Sequence, residues 1–124
     1  MAKKSKYQLW QKKRQRIKYR IKQKNINNHP RLVVYRSNAN IYAQLIDDEK
    51  NATVLSASSI DKSLKKSIDK AANKIEISKI VGESLAEKIK DANIERIIFD
   101  RNGYKYHGRV KVLAEAIRSA EIII

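Results

Sequence analysis

Residues 100–110 concentrate side chains that could bind phosphates and stack on flat rings. Basic groups suit phosphates, and rings can stack on unpaired bases or hydrogen-bond to them; the residues concerned are Arg101, Tyr104, Lys105, Tyr106, His107 and Arg109. Gly103 and Gly108 would let the backbone approach a partner closely, and a helix beginning near Gly108 would direct free amides at an anion. This composition suits an RNA-binding loop, unless the glycines only turn the chain and Tyr104 or Tyr106 packs on a sheet.

The first 31 residues form a second basic segment, called the arm below. The arm holds 12 of the 28 Lys and Arg residues and none of the 13 Asp and Glu residues, so the rest of the chain has a net charge of only +3. Dense like charge opposes compaction, and we expect the arm to be disordered when free. Because neutralised phosphates release counterions, and Tyr7, Trp10 and Tyr19 can stack on bases, we expect its partner to be nucleic acid.

Three other interpretations of the arm are weaker. A charge run can simply be solvated, without a dedicated partner. A transit peptide would be rich in Arg and Ser, whereas Lys predominates here and Ser5 is the only serine. A membrane-surface helix would need an apolar face. Arg14 interrupts the face that could be formed by Tyr7, Trp10, Ile17 and Ile21.

The composition bounds the class of protein. A chain of 124 residues allows one domain with a modest core, residues 32–124, besides the arm. The sequence contains no cysteine, which rules out disulfides, thiol catalysis and Cys-based zinc sites. Since no apolar run approaches the ~20 residues that span a bilayer, and the basic N-terminus lacks the apolar stretch of a signal peptide, we expect a soluble intracellular protein with no membrane partner and no small-molecule substrate.

Three short strands follow the arm. His29 and Pro30 close the arm, because the residue before a proline avoids helical geometry. Beyond the arm, β-branched and aromatic residues predict a strand at 32–36. Turn residues lead to an alternating segment at 41–46, and a polar turn at 47–51 leads to a third strand at 53–57. Three sequential antiparallel strands make a meander.

Two helices and one strand complete the order. Asn73 and Glu76 resemble a capping box before a helix with apolar residues at helical spacing, which Asn93 could end in a left-handed conformation. A fourth strand is predicted at 94–99 and a second helix from Gly108. Residues 60–72 are predicted to be a mobile connection or an extension of the first helix, and residues 121–124 form an apolar tail with no predicted place.

The order βββαβα predicts an α/β fold. A strand, a long helix and a further strand make a crossover, which favours parallel pairing and a right-handed connection. The fourth strand must therefore join the sheet beside the meander. The result is a four-stranded mixed sheet with two helices packed against it.

An enzyme is one alternative, since Asp47, Asp48 and Asp100 could be imagined as metal ligands. Two-metal hydrolysis needs several carboxylates that converge on one site, and the first predicted strand supplies none. These aspartates are better interpreted as turn formers and ion-pair partners. His29 and His107 each lack an evident second ligand, which argues against a metal site or acid–base catalysis. We expect no catalytic residue, no metal and no cofactor.

The sequence becomes recognisable at DRNGYKYHGRV (residues 100–110) and at PRLVVYRSN (30–38), which is followed by IYAQ (41–44) and two aspartates. These segments closely resemble the signature of bacterial ribosomal large-subunit protein eighteen, and the likeness covers essentially the whole chain. The resemblance implies ribonuclease-H-like topology, with strand order 3-2-1-4 and strand 2 antiparallel. It also implies a structural constituent of the cytoplasmic large ribosomal subunit, which binds 5S rRNA and attaches it to 23S rRNA in the central protuberance. Large-subunit protein five and other proteins of that region would be its neighbours.

By the same resemblance, RNA would be bound by the arm, by the hairpin region (residues 36–44) and by the basic loop (residues 101–109). The candidate rRNA-binding residues are Lys3, Lys4, Lys12, Lys13, Arg14, Arg16, Lys18, Arg20, Lys22, Arg31, Arg36, Ser37, Asn38, Tyr42, Gln44, Arg101, Tyr104, Lys105, His107 and Arg109. Three positions depart from the family pattern: Asn102 replaces a usual glycine, Asn40 replaces a common histidine, and residues 122–124 replace a Gly-containing end. A positive φ at Asn102 is feasible but less free than for glycine.

A nonspecific RNA chaperone is the second alternative, because the arm alone would suffice for it. Phosphate contacts position a protein without reading sequence, whereas shape and unpaired bases supply specificity in RNA. Our hypothesis is a division of labour. The arm supplies salt-sensitive affinity, and the sheet edge with the basic loop selects the RNA.

Overall fold

The computed structural model describes residues 3–124, and its first element is helix α1, Lys6–Lys24. Ser5 and Gln8 cap this helix reciprocally: the Ser5 hydroxyl accepts from the Gln8 amide, and the Gln8 side chain accepts from the Ser5 amide. Residues 6–24 of the arm are therefore helical, whereas Met1 and Ala2 lie outside the described residues. Disorder of the free arm stays a prediction.

Four strands form one mixed sheet in the order β3-β2-β1-β4. The strands are β1 Arg31–Arg36, β2 Ile41–Asp47, β3 Ala52–Ser58 and β4 Ile98–Asp100. β2 runs antiparallel to both β1 and β3, whereas β4 runs parallel to β1. The predicted α/β fold and strand order 3-2-1-4 are confirmed. β1 begins one residue earlier than predicted, which places Arg31 in the sheet.

β4 is shorter than the predicted strand at 94–99, and that prediction was wrong for residues 94–97. The β1–β4 pairing starts with Arg31 opposite Ile98, and it cannot extend further back as a full ladder because Pro30 has no amide hydrogen to donate. The chain before Ile98 pairs with the C-terminal tail instead. Ile97 donates to the Ile123 carbonyl (2.9 Å), and Ile123 donates to the carbonyl of Glu95 (3.0 Å). The C-terminal tail, which had no predicted place, thus pairs with the residues just before β4.

Two long helices form the crossover layer, α3 Lys74–Asp91 and α4 Gly108–Arg118, and α2, Lys65–Asp69, precedes them. The Asn73 side chain caps α3 by accepting from the Glu76 amide (3.0 Å). The Glu76 carboxylate accepts from the amide of Ala72 (2.7 Å) rather than from Asn73, so the predicted capping box forms one residue out of register. Asn93 has a φ of 58°, which confirms the left-handed end of this helix.

Residues 60–72 are neither a simple loop nor an extension of α3. They contain a 3₁₀ turn, Lys62–Leu64, followed directly by α2. The carboxylate of Asp61 accepts hydrogen bonds from the amide and the hydroxyl of Ser58, which fixes the exit from β3. Leu64 packs against the core, so this segment closes one end of it.

The core lies between one face of the sheet and the two crossover helices. It is built from the sheet residues Leu32, Val34, Ile41, Ala43 and Leu45 and from the helix residues Val81, Leu85, Ile89, Val110, Leu113 and Ile117. Because strand side chains alternate between faces, Arg31, Val33 and Tyr35 point to the opposite side of the sheet. The fold positions α1 on that second side, where Arg14 contacts Tyr35.

Helices α3 and α4 pack tightly against each other at Gly82. A β-carbon at this position would lie 2.7 Å from the carbonyl oxygen of Leu113 and 2.8 Å from the β-carbon of Ala116. Overpacking costs about 1–3 kcal/mol and the better helix propensity of alanine returns up to about 1 kcal/mol, so Gly82→Ala should lower the free energy of unfolding by about 1–2 kcal/mol. Urea unfolding measures the change, with the exposed Glu83→Ala as the control. A variant as stable as the unmodified protein would contradict the close approach.

Candidate nucleic-acid interface

Arg31 lies at the start of β1 with only 5% of its surface exposed. Its guanidinium donates two hydrogen bonds to the carboxylate of Asp48 (3.0 and 3.1 Å) and one to Oδ2 of Asp100 (2.6 Å). A buried guanidinium needs such partners, because an isolated charge is costly inside a protein. These bonds join the start of β1 to the end of β4 and to the turn after β2.

The same hydrogen bonds shift the pKa values of Asp48 and Arg31. Hydrogen bonding from Arg31 holds the pKa of Asp48 below its usual range; partial burial opposes this, and attraction from Arg31, Lys22 and Lys18 adds to it. Burial alone would lower the pKa of Arg31, but its bonds to Asp48 and Asp100 outweigh burial and raise it. Arg31 therefore stays charged and connects Asp48 to Asp100 inside the protein.

Asp100 also orders the turn that follows β4. Its second carboxylate oxygen accepts a hydrogen bond of 2.8 Å from the backbone amide of Asn102. Asn102 has a φ of 56° and Gly103 a φ of 82°, so the feasible positive φ at Asn102 is confirmed. The Asn102 side-chain amide donates to the carbonyl of Val34 (2.9 Å). The start of the basic loop is thereby fastened to β1.

The basic loop lies against the hairpin region. Nη1 of Arg109 donates to the carbonyl oxygen of Ser37 (2.9 Å). The guanidinium carbon of Arg36 lies 4.8 Å from the centroid of the Tyr104 ring, within the range of a cation–π contact. Two segments that are distant in sequence and were assigned to RNA binding are thus neighbours in space.

The two loop tyrosines have different environments. Tyr104 is half-buried and packs against the core, and its carbonyl oxygen accepts a hydrogen bond from Arg101 (2.8 Å). Tyr106 is exposed, with its ring edge-on to Phe99 at a centroid distance of 5.9 Å. The packing alternative therefore holds for Tyr104 and in part for Tyr106, whose hydroxyl also accepts a hydrogen bond from Arg118 (3.1 Å), whereas His107 is exposed.

Helix α1 faces the body with Trp10, Arg14, Ile17 and Ile21, which are half-buried at helical spacing. Nε of Arg14 donates to Oδ1 of Asn102 (2.7 Å). Arg14 was expected to interrupt an apolar face of this helix; in the structure it belongs to the inward face and provides its polar contact.

The other candidate residues lie mostly at the surface. Exposed positions are Lys3, Lys4, Lys12, Lys13, Arg16, Lys18, Arg20, Lys22, Arg36, Ser37, Asn38, Lys105 and His107, and half-exposed positions are Tyr42, Gln44, Arg101, Tyr104 and Arg109. They lie on the arm, the hairpin region and the basic loop, and the basic loop contacts the other two. Arg14 and Arg31 differ from the rest, because all three guanidinium nitrogens of each donate hydrogen bonds within the protein.

Sequence reasoning missed the residues that connect these segments. Trp10 was considered as a ring for stacking on bases or as part of the apolar face of a membrane-surface helix, and Asn102 only as a substitute for glycine; Tyr35 was not singled out. An available signal was that the chain's one tryptophan lies within its most polar segment. Such a ring is expected to find an apolar surface for its body and an acceptor for its N–H.

The aspartates considered as metal ligands have structural roles. Asp48 and Asp100 pair with Arg31, and Asp47 accepts from the amides of Glu49 and Lys50 in the turn after β2. Their interpretation as ion-pair partners and turn formers is confirmed. Within residues 3–124, no three acidic or histidine side chains come together as a metal site. None of the helices in this part of the chain is both long and apolar enough to cross a bilayer.

The fold and this surface define a small basic α/β protein in which the basic loop brings a charged helix and a charged hairpin together. Its sequence matches the family model described as ribosomal L18 of archaea, bacteria, mitochondria and chloroplasts over residues 4–124. The chain belongs to this family, and it is a structural constituent of the large ribosomal subunit rather than an enzyme.

Individual relatives agree with the family assignment. The chain is 52% identical over 110 residues to large ribosomal subunit protein uL18 of Fusobacterium nucleatum subsp. nucleatum, which covers 89% of this chain and 88% of that protein. It is 53% identical over 91 residues to uL18 of Staphylococcus haemolyticus, covering 73% of each chain. It is 43% identical over 120 residues to uL18 of Prochlorococcus marinus strain MIT 9211, covering 97% of each.

The lowered pKa of Asp48 predicts a pH-dependent stability. A carboxyl group with a depressed folded pKa stabilises the fold above its unfolded pKa, near 3.9, and loses that effect as pH falls through the folded pKa. Asp48→Asn should therefore lower the free energy of unfolding by about 1–2 kcal/mol at pH 7, and this difference should shrink as pH falls below about 4 and the carboxyl group of Asp48 takes up a proton. Urea unfolding at several pH values measures it, with the exposed Glu87→Gln as the control. A difference that stays constant down to pH 2 would exclude the ion pair as its cause.

Proposed function

We propose that this protein binds 5S rRNA and helps to attach it to 23S rRNA in the central protuberance, beside large-subunit protein five and other proteins of that region. The observation that carries the proposal is the contact between three segments: α1 with its exposed basic side, the basic loop and the hairpin region. A folded RNA that displays both a phosphate backbone and unpaired bases complements such a surface.

The arm is proposed to supply most of the affinity. Four exposed basic side chains, Lys12, Lys13, Arg16 and Arg20, lie on α1 away from the inward stripe. Each phosphate that they neutralise releases condensed counterions, which makes this contribution independent of base sequence and sensitive to salt. Arg14 and Arg31 are left out of this set, because their donors are used within the protein.

The basic loop and the hairpin region are proposed to select the RNA. Lys105, Tyr106 and His107 are exposed at the tip of the loop, directly before the first turn of α4. The free amides of that turn favour an anion, and the rings can stack on an unpaired base. Arg109 and Tyr104 brace the loop against the hairpin region. A braced loop loses little conformational entropy on binding, which favours selectivity.

A variant of the arm tests its proposed role. Glutamine at positions 12, 13, 16 and 20 should weaken binding to 5S rRNA and to an unrelated folded RNA alike. The slope of log affinity against log salt should flatten by roughly 0.7–0.9 for each phosphate that is no longer neutralised. Fluorescence anisotropy across a salt titration measures both. The matched control removes four exposed charges from the opposite layer: Lys70, Lys74, Lys79 and Lys90, each to Gln. Equal slopes for the two variants would refute the role of the arm.

A second variant tests the loop. Lys105→Ala with His107→Ala removes exposed side chains that do not brace the loop. The ratio of affinities for 5S rRNA and the unrelated RNA should fall roughly tenfold, the effect of losing one stacked or hydrogen-bonded base. A nonspecific chaperone is the competing function, favoured by the charge of the arm. A nonspecific chaperone would bind 5S rRNA and the unrelated RNA with similar affinity. The ratio of the two affinities would then be near one for the unmodified protein and would not change in the loop variant.

A further inference from the structure

Residues 37–40 of the hairpin region, called the hairpin turn below, are not closed as an ordinary two-residue hairpin. Such loops are normally of type I′ or II′, which need a positive φ at one or both central residues. The structure describes all four residues of this turn, and none of them has a positive φ. The turn therefore needs support that its own backbone does not provide.

Part of this support comes from the side chain of Ser37. The amide of Ser37 donates to the Asn40 carbonyl (2.8 Å), as in a regular hairpin. The amide of Asn40, however, donates to the hydroxyl of Ser37 (3.1 Å) and not to its carbonyl. The Ser37 carbonyl is thereby left to accept the hydrogen bond from Arg109 (2.9 Å). The first and last residues of the turn are thus joined through a side chain, and the basic loop holds the first one.

Ser59 holds the last residue of the turn from the end of β3. β3 ends at Ser58, yet pairing with β2 continues for one more residue. The Ser59 amide donates to the Ile41 carbonyl (3.0 Å), and the Ile41 amide donates to the Ser59 hydroxyl (3.0 Å). This hydroxyl in turn donates to Oδ1 of Asn40 (2.9 Å). A serine side chain therefore replaces the backbone acceptor that a longer strand would offer, and connects it to the hairpin turn.

The Ser59 hydroxyl serves the protein and not a ligand. A serine hydroxyl has a single proton to donate, and here that proton is directed at Asn40, so it is not available to a phosphate oxygen. Ile41 is only 1% exposed, and without Ser59 its amide would be a buried donor with no partner. Ser59 can therefore influence RNA binding only through the hairpin turn.

The segment after β3 fixes the position of Ser59. The carboxylate of Asp61 accepts from the amide (2.9 Å) and the hydroxyl (3.0 Å) of Ser58, and the Asp61 amide donates back to the Ser58 carbonyl (3.2 Å). All of these contacts lie within residues 32–124. The support of the hairpin turn thus belongs to the globular body and is independent of the arm.

We propose that Ser59 is a positioning residue for RNA recognition: through Asn40 it fixes the shape of the hairpin turn, which presents the exposed residues Ser37 and Asn38 to RNA beside the basic loop. The inference rests on the proposed function, and it adds a residue outside the segments that were assigned to RNA binding. A turn with a fixed shape pays a smaller ordering cost on binding, and its distance from the basic loop is constant. Both effects favour one RNA shape over others.

Hydrogen exchange tests whether Ser59 supports the turn. Ser59→Ala removes the hydroxyl, whereas Ser59→Thr keeps one. In the RNA-free full-length protein, the Ile41 amide should exchange about tenfold faster in Ser59→Ala, the equivalent of one lost hydrogen bond, and near its original rate in Ser59→Thr. The Ala43 amide, which lies opposite Ala57 in the sheet, should keep its rate and so report a folded body. NMR measures both rates. An unchanged rate at Ile41 in Ser59→Ala would overturn the role of the hydroxyl.

RNA binding tests the positioning role. Ser59→Ala should lower the affinity for 5S rRNA roughly fivefold, and Ser59→Thr should restore it. The affinity for the unrelated folded RNA and the salt slope should not change, because no charged group is removed. Ser56→Ala is the matched control, since it removes an exposed hydroxyl from β3. A purely structural role of Ser59 would leave the ratio of the two affinities unchanged, and that result would overturn the proposal.

A double variant tests the route through Asn40. If Ser59 acts through this side chain, Ser59→Ala combined with Asn40→Ala should lose less affinity for 5S rRNA than the product of the two separate losses. Losses that simply multiply would overturn the route. If the unmodified protein shows no preference for 5S rRNA, the proposed function fails and the positioning role falls with it. The exchange rate of Ile41 still decides, in that case, whether Ser59 supports the turn.

Discussion

The ion pairs of the buried Arg31 guanidinium are the interaction on which the other contacts depend. It holds two carboxylates, those of Asp48 and Asp100, at the point where β1 begins and β4 ends. Without it, the carboxylate of Asp100, 2% exposed, would be an unpaired buried charge, a defect that costs about 3–5 kcal/mol. Asp100 in turn holds the amide of Asn102, so the position of the basic loop follows from the ion pair.

This order of contacts gives the molecule two different sides. The crossover helices α3 and α4 cover one face of the sheet and form the core with it. On the other face, the ion pair, the Asn102 turn and the stripe led by Trp10 bring α1 against β1 and the basic loop. The acid-free basic residues of α1 and the exposed rings of Tyr7 and Tyr19 therefore lie on the side of the sheet opposite the crossover helices. A ribosomal protein needs this asymmetry if one side is to receive RNA while the other stabilises the fold.

Sequence patterns predicted most of the fold, because side-chain alternation and helix-end preferences depend on residues that are close together in the chain. Alternation identified the meander, and Asn93 marked a helix end through its tolerance of positive φ. The length of β4 was not predictable, because it depends on Pro30 and on Ile123, which pairs with the chain before the strand. In the candidate site, the exposed basic residues were found by composition. Arg14 and Arg31 look like the other basic residues in sequence, and only tertiary contacts with residues distant in the chain reveal their internal roles.

Lysine-acetylation footprinting of the full-length protein, free and bound to 5S rRNA, tests most directly whether RNA occupies the side that carries α1 and the basic loop. Mass spectrometry then reports the reactivity of each lysine. The account predicts that Lys12, Lys13 and Lys105 become protected by the RNA, while Lys79 and Lys90 on the opposite layer keep their reactivity. Protection of Lys79 and Lys90, with Lys12 and Lys105 unchanged, would contradict it.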